Sequence, residues 1–295
     1  MGFIFAKGEE VFMNICFVIL HYLTDNDTIE CVKSIENLDG ADKAKIVIVD
    51  NFSDNGSIEK VEAAVNKFDN CKILYSNKNL GFARGNNIGY SYIKKKFSNP
   101  FVVVLNNDTV IKQRDFITKI IDTYNKTPYA VLGPDIISLV DGGHQNPLRK
   151  IPSKKKIKKD INKYRLLLAL SKLGIYNLMQ KHFGTNRNGK AINPEKPQSE
   201  EITDRALHGS CLIFSPDFTS VMNEAFCPDT FLYKEEYILA RRCTKKRLKM
   251  LFNSDIEIFH KEDSSTNRVV STAKKKREFL FKNLIKSNKA FLKNY

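Results

Sequence analysis

The chain has 295 residues, 42% hydrophobic and 11% aromatic, enough for one large α/β domain or two small ones and unlike a disordered chain. Forty-eight Lys and Arg against 33 acids give a net charge of +15, which favours an anionic partner (nucleic acid, an acidic membrane or a phosphorylated small molecule), although solubility and a lysine-rich composition alone explain it equally well. The cysteines Cys16, Cys31, Cys71, Cys211, Cys227 and Cys243 contain no C-x-x-C pair, which argues against a zinc ligand set or a secreted disulfide framework and fits a reducing, cytosolic compartment.

The N-terminus lacks the pattern of a cleaved leader, and Met13 opens a stretch that would itself make a start, so residues 1–12 read as an extension outside the fold. The apolar run 15–20 is too short for a bilayer span of ~20 residues. Short, nearly continuous apolar runs at 14–20, 45–50 and 101–105, with a weaker one at 71–76, predict strands covered on both faces. Between the first two, Ile29, Val32, Ile35 and Leu38 recur at helical spacing, with Asp27 as the expected cap. A second helix follows from Ser57, read as its cap, and "GNNIGYSYIKKKF" predicts a third ahead of residue 101. Strand and helix alternate four times, which predicts a doubly wound, mostly parallel sheet whose ligands bind beyond the carboxyl ends of the strands.

Those ends carry polar residues: His21 and Tyr22, Asp50 and Asn51, then "NKNLGFARGNNIG", then Asn106, Asn107 and Asp108. Past residue 143 the chain turns basic, with "RKIPSKKKIKKDINKYR" at 149–165, an apolar helix at 166–183 with Leu167, Leu170 and Leu178 near one side, and a Gly/Pro/Asn loop at 184–201. Strand character returns at 209–215. Residues 144–203 therefore read as an insertion in a catalytic domain spanning 13–267, and 268–295 as a basic amphipathic C-terminal helix.

The glycines of "GFARGNNIG" are spaced by four, which is not the dinucleotide fingerprint, and no phosphate-binding loop or nucleophile elbow is present. Asp108 with its neighbouring amides suits Mg²⁺ or Mn²⁺, with phosphate oxygens completing the shell. Taken alone, a turn capped by Asn and Asp explains the same three residues. Asp50 could accept from the imide of a pyrimidine base, and Tyr22 could stack on that base, although "DNFSDNG" is also a good loop. Glu235 and Glu236 are adjacent, so on a helix they point in different directions and only one would serve as a general base. A solvated pair at a helix start is the plain alternative, and His260, at the end of an apolar strand, has a structural alternative too.

The ordered set "FVILHY", "IVIVDNFSDNGS", "NKNLGFARGNNIGY", "VVVLNNDTVI", "GSCLIFSPDF", "FLYKEEYILARR" and "FHKEDSST" resembles the family 2 glycosyltransferases of GT-A fold, and looks closest to their rhamnosyltransferase-like bacterial branch. The resemblance implies an inverting enzyme that uses a UDP- or dTDP-linked sugar, rhamnose included, and a hydroxyl of a glycan or lipid-linked glycan as acceptor, in cell-surface polysaccharide synthesis. It implies His21, Tyr22, Asp50, Asn51, Asn86 and Asn87 around the nucleoside, and Arg84 near the phosphates. Asn106, Asn107 and Asp108 stand for the D-x-D-type motif. His208, Gly209 and Ser210 would border the sugar, His260 would complete the metal site, and Glu236 would be the base with Glu235 its rival. Asn106 in place of an acid implies a weakly held cation. Ile238 stands where the family carries another acid, so a catalytically idle member that binds only a nucleotide or partner is the competing reading. The basic segments fit an anionic membrane at the inner face of the plasma membrane, with no recognisable module for specific nucleic-acid binding.

Overall fold

The structure is a computed structural model that describes residues 14–176, 195–262 and 272–295. The expected extension at 1–12, Leu178, the loop at 184–194 and the end of "FHKEDSST" lie outside the described residues.

Strands β1 (Ile15–His21), β2 (Lys45–Asp50), β3 (Cys71–Tyr75) and β4 (Phe101–Asn106) lie parallel in the order β3-β2-β1-β4. Helices α1 (Asp25–Glu36), α2 (Ser57–Val65) and α3 (Gly81–Lys96) make the connections. Successive residues of these strands feed two cores. Phe17, Ile19, Ile46, Ile48, Val103 and Leu105 pack on the α1–α2 side. Cys16, Val18, Val47, Val49, Val102 and Val104 pack on the α3 side. Burial on both faces is why these runs show no polar alternation.

The chain continues through β5 (Thr109–Val110), α4 (Phe116–Lys126), β6 (Val131–Ser138), α5 (Lys154–Lys172), β7 (Glu200–Glu201), β8 (Cys211–Phe214), α6 (Pro216–Val221), α7 (Glu235–Lys246), β9 (Met250–His260) and α8 (Ala273–Asn294). β8 runs antiparallel between β4 and β6, β6 runs parallel to β9, and β5 and β7 pair antiparallel with β9. The whole is a Rossmann-like α/β sheet flanked by helices, consistent with the GT-A fold, parallel in its first half and mixed in its second. Because β8 runs back along β4, the residues that precede β8 arrive at the carboxyl end of β4. That reversal brings a second polar segment to the rim already occupied by Asn106–Asp108.

The glycines spaced by four are packing residues. A β-carbon on Gly85 would lie 2.5 Å from Leu20 Cδ1, and one on Gly89 2.6 Å from Val18 Cγ1, so α3 rests directly on β1. Gly81 has φ +73°, and a β-carbon there would meet the Phe231 carbonyl oxygen at 2.2 Å. Two expected caps are corrected. Thr24 and Gly56, not Asp27 and Ser57, precede α1 and α2. Tertiary partners claim the other two side chains: Asp27 pairs with Lys261 at 3.0 Å, and Ser57 Oγ lies 3.0 Å from His21 Nε2.

The basic segment leaves and returns along itself, with Leu148 N–H donating to the Ala206 carbonyl and Ile151 N–H to that of Asp204. α5 and α8 pack antiparallel. Lys154 lies over the Tyr295 ring at one end, Tyr164 stacks on Phe281, and Arg277 Nε donates to Ser171 Oγ at the other end. Ile157, Ile161, Cys227, Ile238, Ala290 and Phe291 form a small third core joining this pair to α7. No helix among the described residues is long and apolar enough to cross a membrane.

Candidate active site

The register of the sheet sets the first wall of the site. Asp108 follows β4 and precedes Thr109, which pairs with His260 at the end of β9. His260 Nε2 lies 3.3 Å from Asp108 Oδ1, with both side chains almost wholly buried. Gln145 fixes the tautomer. Its amide nitrogen donates to Glu262 Oε1 at 2.6 Å, which turns its oxygen towards His260 Nδ1 at 2.8 Å. Nδ1 therefore carries the proton, and in the neutral ring the Nε2 lone pair faces the carboxylate. Two lone pairs in that geometry repel unless a proton or a cation lies between them. A histidine whose other nitrogen donates to an amide oxygen, set beside a carboxylate, has the usual arrangement of a metal ligand. Among the described residues no group of three or more His, Cys, Asp and Glu is arranged to hold a metal ion. Asp108 and His260 therefore suit a cation that takes the rest of its shell from a ligand or water.

The second wall is His208–Ser210, just ahead of β8. Asn106 N–H donates to the Ser210 carbonyl at 2.9 Å, tying this segment to the end of β4. The His208 ring lies 5.8 Å from that of His260. Ser210 N–H donates to His208 Nδ1 at 3.2 Å, so the neutral ring holds its proton on Nε2. Burial, and then the neighbouring His260, push the His208 pKa down to about 4. Asn146 supports the segment by accepting from His208 N–H at 2.7 Å while donating to the Pro134 carbonyl.

Glu236 closes the set. A β-carbon on Gly209 would lie 2.8 Å from Glu236 Oε1, so the carboxylate rests against the bare backbone of the His208–Ser210 segment. Burial raises its pKa, and Lys234 opposes the rise. Glu235 is its neighbour in the first turn of α7. It is 2% exposed, its Oε1 has no hydrogen-bond partner, and burial followed by the charge of Glu236 raises its pKa to about 8. The turn before α7 is strained, since Tyr233 and Lys234 have φ +74° and +73°, a conformation that L-residues adopt at a cost of about 1–2 kcal/mol each. It is clamped from two sides. Phe82 N–H donates to the Phe231 carbonyl at 2.8 Å, and Ser287 Oγ of α8 donates to that of Leu232 at 2.7 Å.

The nucleoside candidates divide. Tyr22 is half-buried where β1 ends, and Asp50 ends β2 beside His21. Asp50 accepts from Ser53 N–H at 3.1 Å, and burial raises its pKa. Asn51 accepts from Leu80 N–H at 2.8 Å and donates to Asn79 Oδ1, latching β2 to the turn that opens α3. Others are engaged inside the protein. His21 holds Thr28 Oγ1 at 2.7 Å and Ser57 Oγ on its two nitrogens, and burial lowers its pKa to about 4. Asn107 Nδ2 donates to Thr24 and Thr28 hydroxyls. Asn87 exchanges two hydrogen bonds with the Phe226 backbone. Asn86 is fully buried, with Nδ2 on the Phe82 carbonyl and Oδ1 unpartnered. Arg84 is exposed and donates to the Pro228 carbonyl at 2.7 Å, in a surface cleft with Tyr92 and Lys95. The structure thus gathers Asn106, Asp108, His208, Gly209, Ser210, Glu236 and His260; of the nucleoside candidates at the strand ends Tyr22 is half-buried, while His21, Asp50, Asn51, Asn87 and Asn107 are buried and hydrogen-bonded within the protein. Gln145 and Asn146, which orient the two histidines, were not singled out in the sequence, because only the fold carries "GGHQNP" to this rim.

A family model described as glycosyl transferase family 2 matches residues 16–208. No curated protein matches the chain in sequence. The structure resembles solved transferases at low identity. TarS 1–349 of S. aureus in complex with UDP is 14% identical, with TM-score 0.55, over 92% of this chain and 64% of that one. GalNAc-T7 with UDP, GalNAc and Mn²⁺ is 14% identical, with TM-score 0.58, over 85% and 44%. The mannosyltransferase PcManGT from Pyrobaculum calidifontis, in complex with GDP-Man and Mn²⁺, is 11% identical, with TM-score 0.52, over 95% and 72%. The chain thus spans less than two thirds of TarS 1–349 and of GalNAc-T7.

Proposed function

The chain belongs to glycosyl transferase family 2, and from that membership we propose an inverting transfer of a sugar from a UDP- or dTDP-linked donor, rhamnose among the candidates, to a hydroxyl of a glycan or lipid-linked glycan. The proposed setting is cell-surface polysaccharide synthesis at the cytoplasmic face of a membrane. The observation that carries the reading is the unbroken run Glu236, Gly209, His208, His260, Asp108 at the carboxyl ends of the sheet. It sets one carboxylate apart from a carboxylate–histidine pair, as a base and a leaving-group site must be.

In this reading Tyr22, Asp50 and Asn51 receive the nucleoside, and His208–Ser210 lines the sugar. The acceptor oxygen forms a bond to the anomeric carbon as the bond from that carbon to the nucleoside diphosphate breaks. Glu236 takes the acceptor proton. Asp108 and His260 would hold Mg²⁺ or Mn²⁺, which when bound offsets charge growing on the diphosphate. His21, Asn107 and Asn87 act as scaffold for the rim. Residues 144–203 are read as an insertion and 268–295, which contain α8, as a C-terminal segment on a catalytic domain at 13–267.

The test is nucleotide release from a panel of UDP-, dTDP- and GDP-sugars, with and without Mn²⁺. Wild type is expected to turn over one donor with cation stimulation, and Asp108→Ala to lose that stimulation by roughly 10²-fold or more. Identical trace release from wild type and variant would favour the idle, binding-only member that Asn106 and Ile238 allow.

A second prediction isolates the position of the base. Gly209→Ala is expected to push the Glu236 carboxylate aside and lower kcat by roughly ten- to a hundredfold, since displacement of a reacting group is costly. The atom displaced is the end of a flexible side chain, so the thermal midpoint should stay within about 2 °C. An unchanged kcat would remove Glu236 from the reaction.

A further inference from the structure

The charge of this protein has an address. α5 and α8 together hold sixteen Lys or Arg and only two acids, Asp160 and Glu278, so these two helices carry +14 of the chain's +15. Charges of one sign packed this closely repel, and an anionic partner is what relieves the repulsion.

The charge is also ordered on the surface. On α8, Lys275, Lys282, Lys286, Lys289 and Lys293 follow one another at seven, four, three and four residues. At 3.6 residues per turn they share one face, and all five are exposed. On α5 the inward stripe is Ile157, Ile161, Tyr164, Leu168 and Ser171. The opposite stripe is Lys155, Lys159, Leu166 and Leu173, exposed throughout. Leu166 is 60% and Leu173 73% exposed, among the most exposed large apolar side chains in the described residues.

We propose that the α5–α8 pair is a docking surface for an anionic lipid bilayer, with the lysines on the headgroups and Leu166 and Leu173 entering the acyl boundary. The leucines decide between anionic partners. A phosphate backbone is met by lysine alone and gains nothing from exposed aliphatic side chains, whereas an interfacial helix presents an apolar stripe flanked by lysines. The inner faces of the same pair are occupied: Phe291 stacks on Tyr237 of α7, and Ser287 holds the Leu232 carbonyl ahead of Glu235 and Glu236. Docking would therefore orient the site relative to the membrane through a packed contact. The surface is a property of the helices themselves and does not depend on the sugar-transfer reading.

The experiment is vesicle co-sedimentation of the full chain. Its probes are phosphatidylcholine vesicles and vesicles with roughly a quarter phosphatidylglycerol, at about 50 and about 300 mM salt. At low salt the anionic vesicles should bind on the order of a hundredfold more tightly, and Lys282→Gln/Lys286→Gln/Lys289→Gln should abolish the difference. Leu166→Ser/Leu173→Ser should bind at low salt but lose the fraction retained at high salt. All five positions are exposed, so unchanged circular dichroism and nucleotide release without vesicles are expected for both variants. Equal binding to the two vesicle types overturns the proposal. So does retention on duplex DNA without vesicle binding, unaffected by the leucine changes, which would assign the charge to nucleic acid. Either failure leaves the transferase reading standing, since no step of the assay involves sugar transfer.

Discussion

Glu236→Gln is expected to lower kcat by about 10²–10⁴-fold, the usual contribution of a positioned general base, while the KM for the donor stays within about twofold. Glutamine has nearly the shape of glutamate, so the packing against Gly209 survives and only the proton acceptor is lost. The neighbouring carboxylate supplies the control. Glu235 is buried with an unpartnered oxygen, and the atoms nearest a Gly209 β-carbon all belong to Glu236, so Glu235→Gln should retain turnover. The pH profile adds a second readout. Burial raises the Glu236 pKa, so the rate should fall on the acid side at a pH above the ordinary carboxylate range, and that limb should vanish in Glu236→Gln. If Glu235→Gln is the inactive variant and Glu236→Gln the active one, the assignment of the base reverses.

The first half of the fold was legible in the sequence because buried parallel strands write themselves as continuous apolar runs, and four were found within a residue or two of β1 to β4. The second half was harder. β9 alternates buried and half-exposed residues over Met250–His260, so only its end reads as an apolar strand. The site shows the same division. Asp108 and His260 lie 152 positions apart, yet both are polar residues at strand ends, and that signal suffices to nominate them. Local chemistry could not tell which amides face a ligand. Asn51, Asn87 and Asn107 look alike in sequence, and tertiary partners engage all three. Gln145 was invisible for the same reason. Its role comes from reaching His260 and Glu262 at once, and no spacing rule encodes that. The placement of charge was half legible. The lysine runs were plain, but that they belong to two helices packed antiparallel against α7 follows only from Tyr164 on Phe281 and Tyr237 on Phe291.

Glu235, the buried carboxylate that the proposed mechanism leaves unused, should leave its mark on stability. Burial, reinforced by Glu236, lifts Glu235 from 4.5 to about 8 in the folded protein. The folded state therefore binds more protons than the unfolded chain between those two values, and stability must fall as pH rises through that window. At about 1.4 kcal/mol per unit, the loss by pH 7 is on the order of 3 kcal/mol relative to pH 4.5. Glu235→Gln removes the ionisation and keeps the shape. The variant should match wild type near pH 5, exceed it increasingly towards pH 8, and show a flatter pH dependence of the denaturation midpoint in urea. Parallel wild-type and variant curves would show that Glu235 is already solvated or paired in solution. A gain in stability without loss of turnover would show that this carboxylate is carried at a net cost. That cost falls next to the two left-handed residues Tyr233 and Lys234, where the turn that aims Glu236 is already strained.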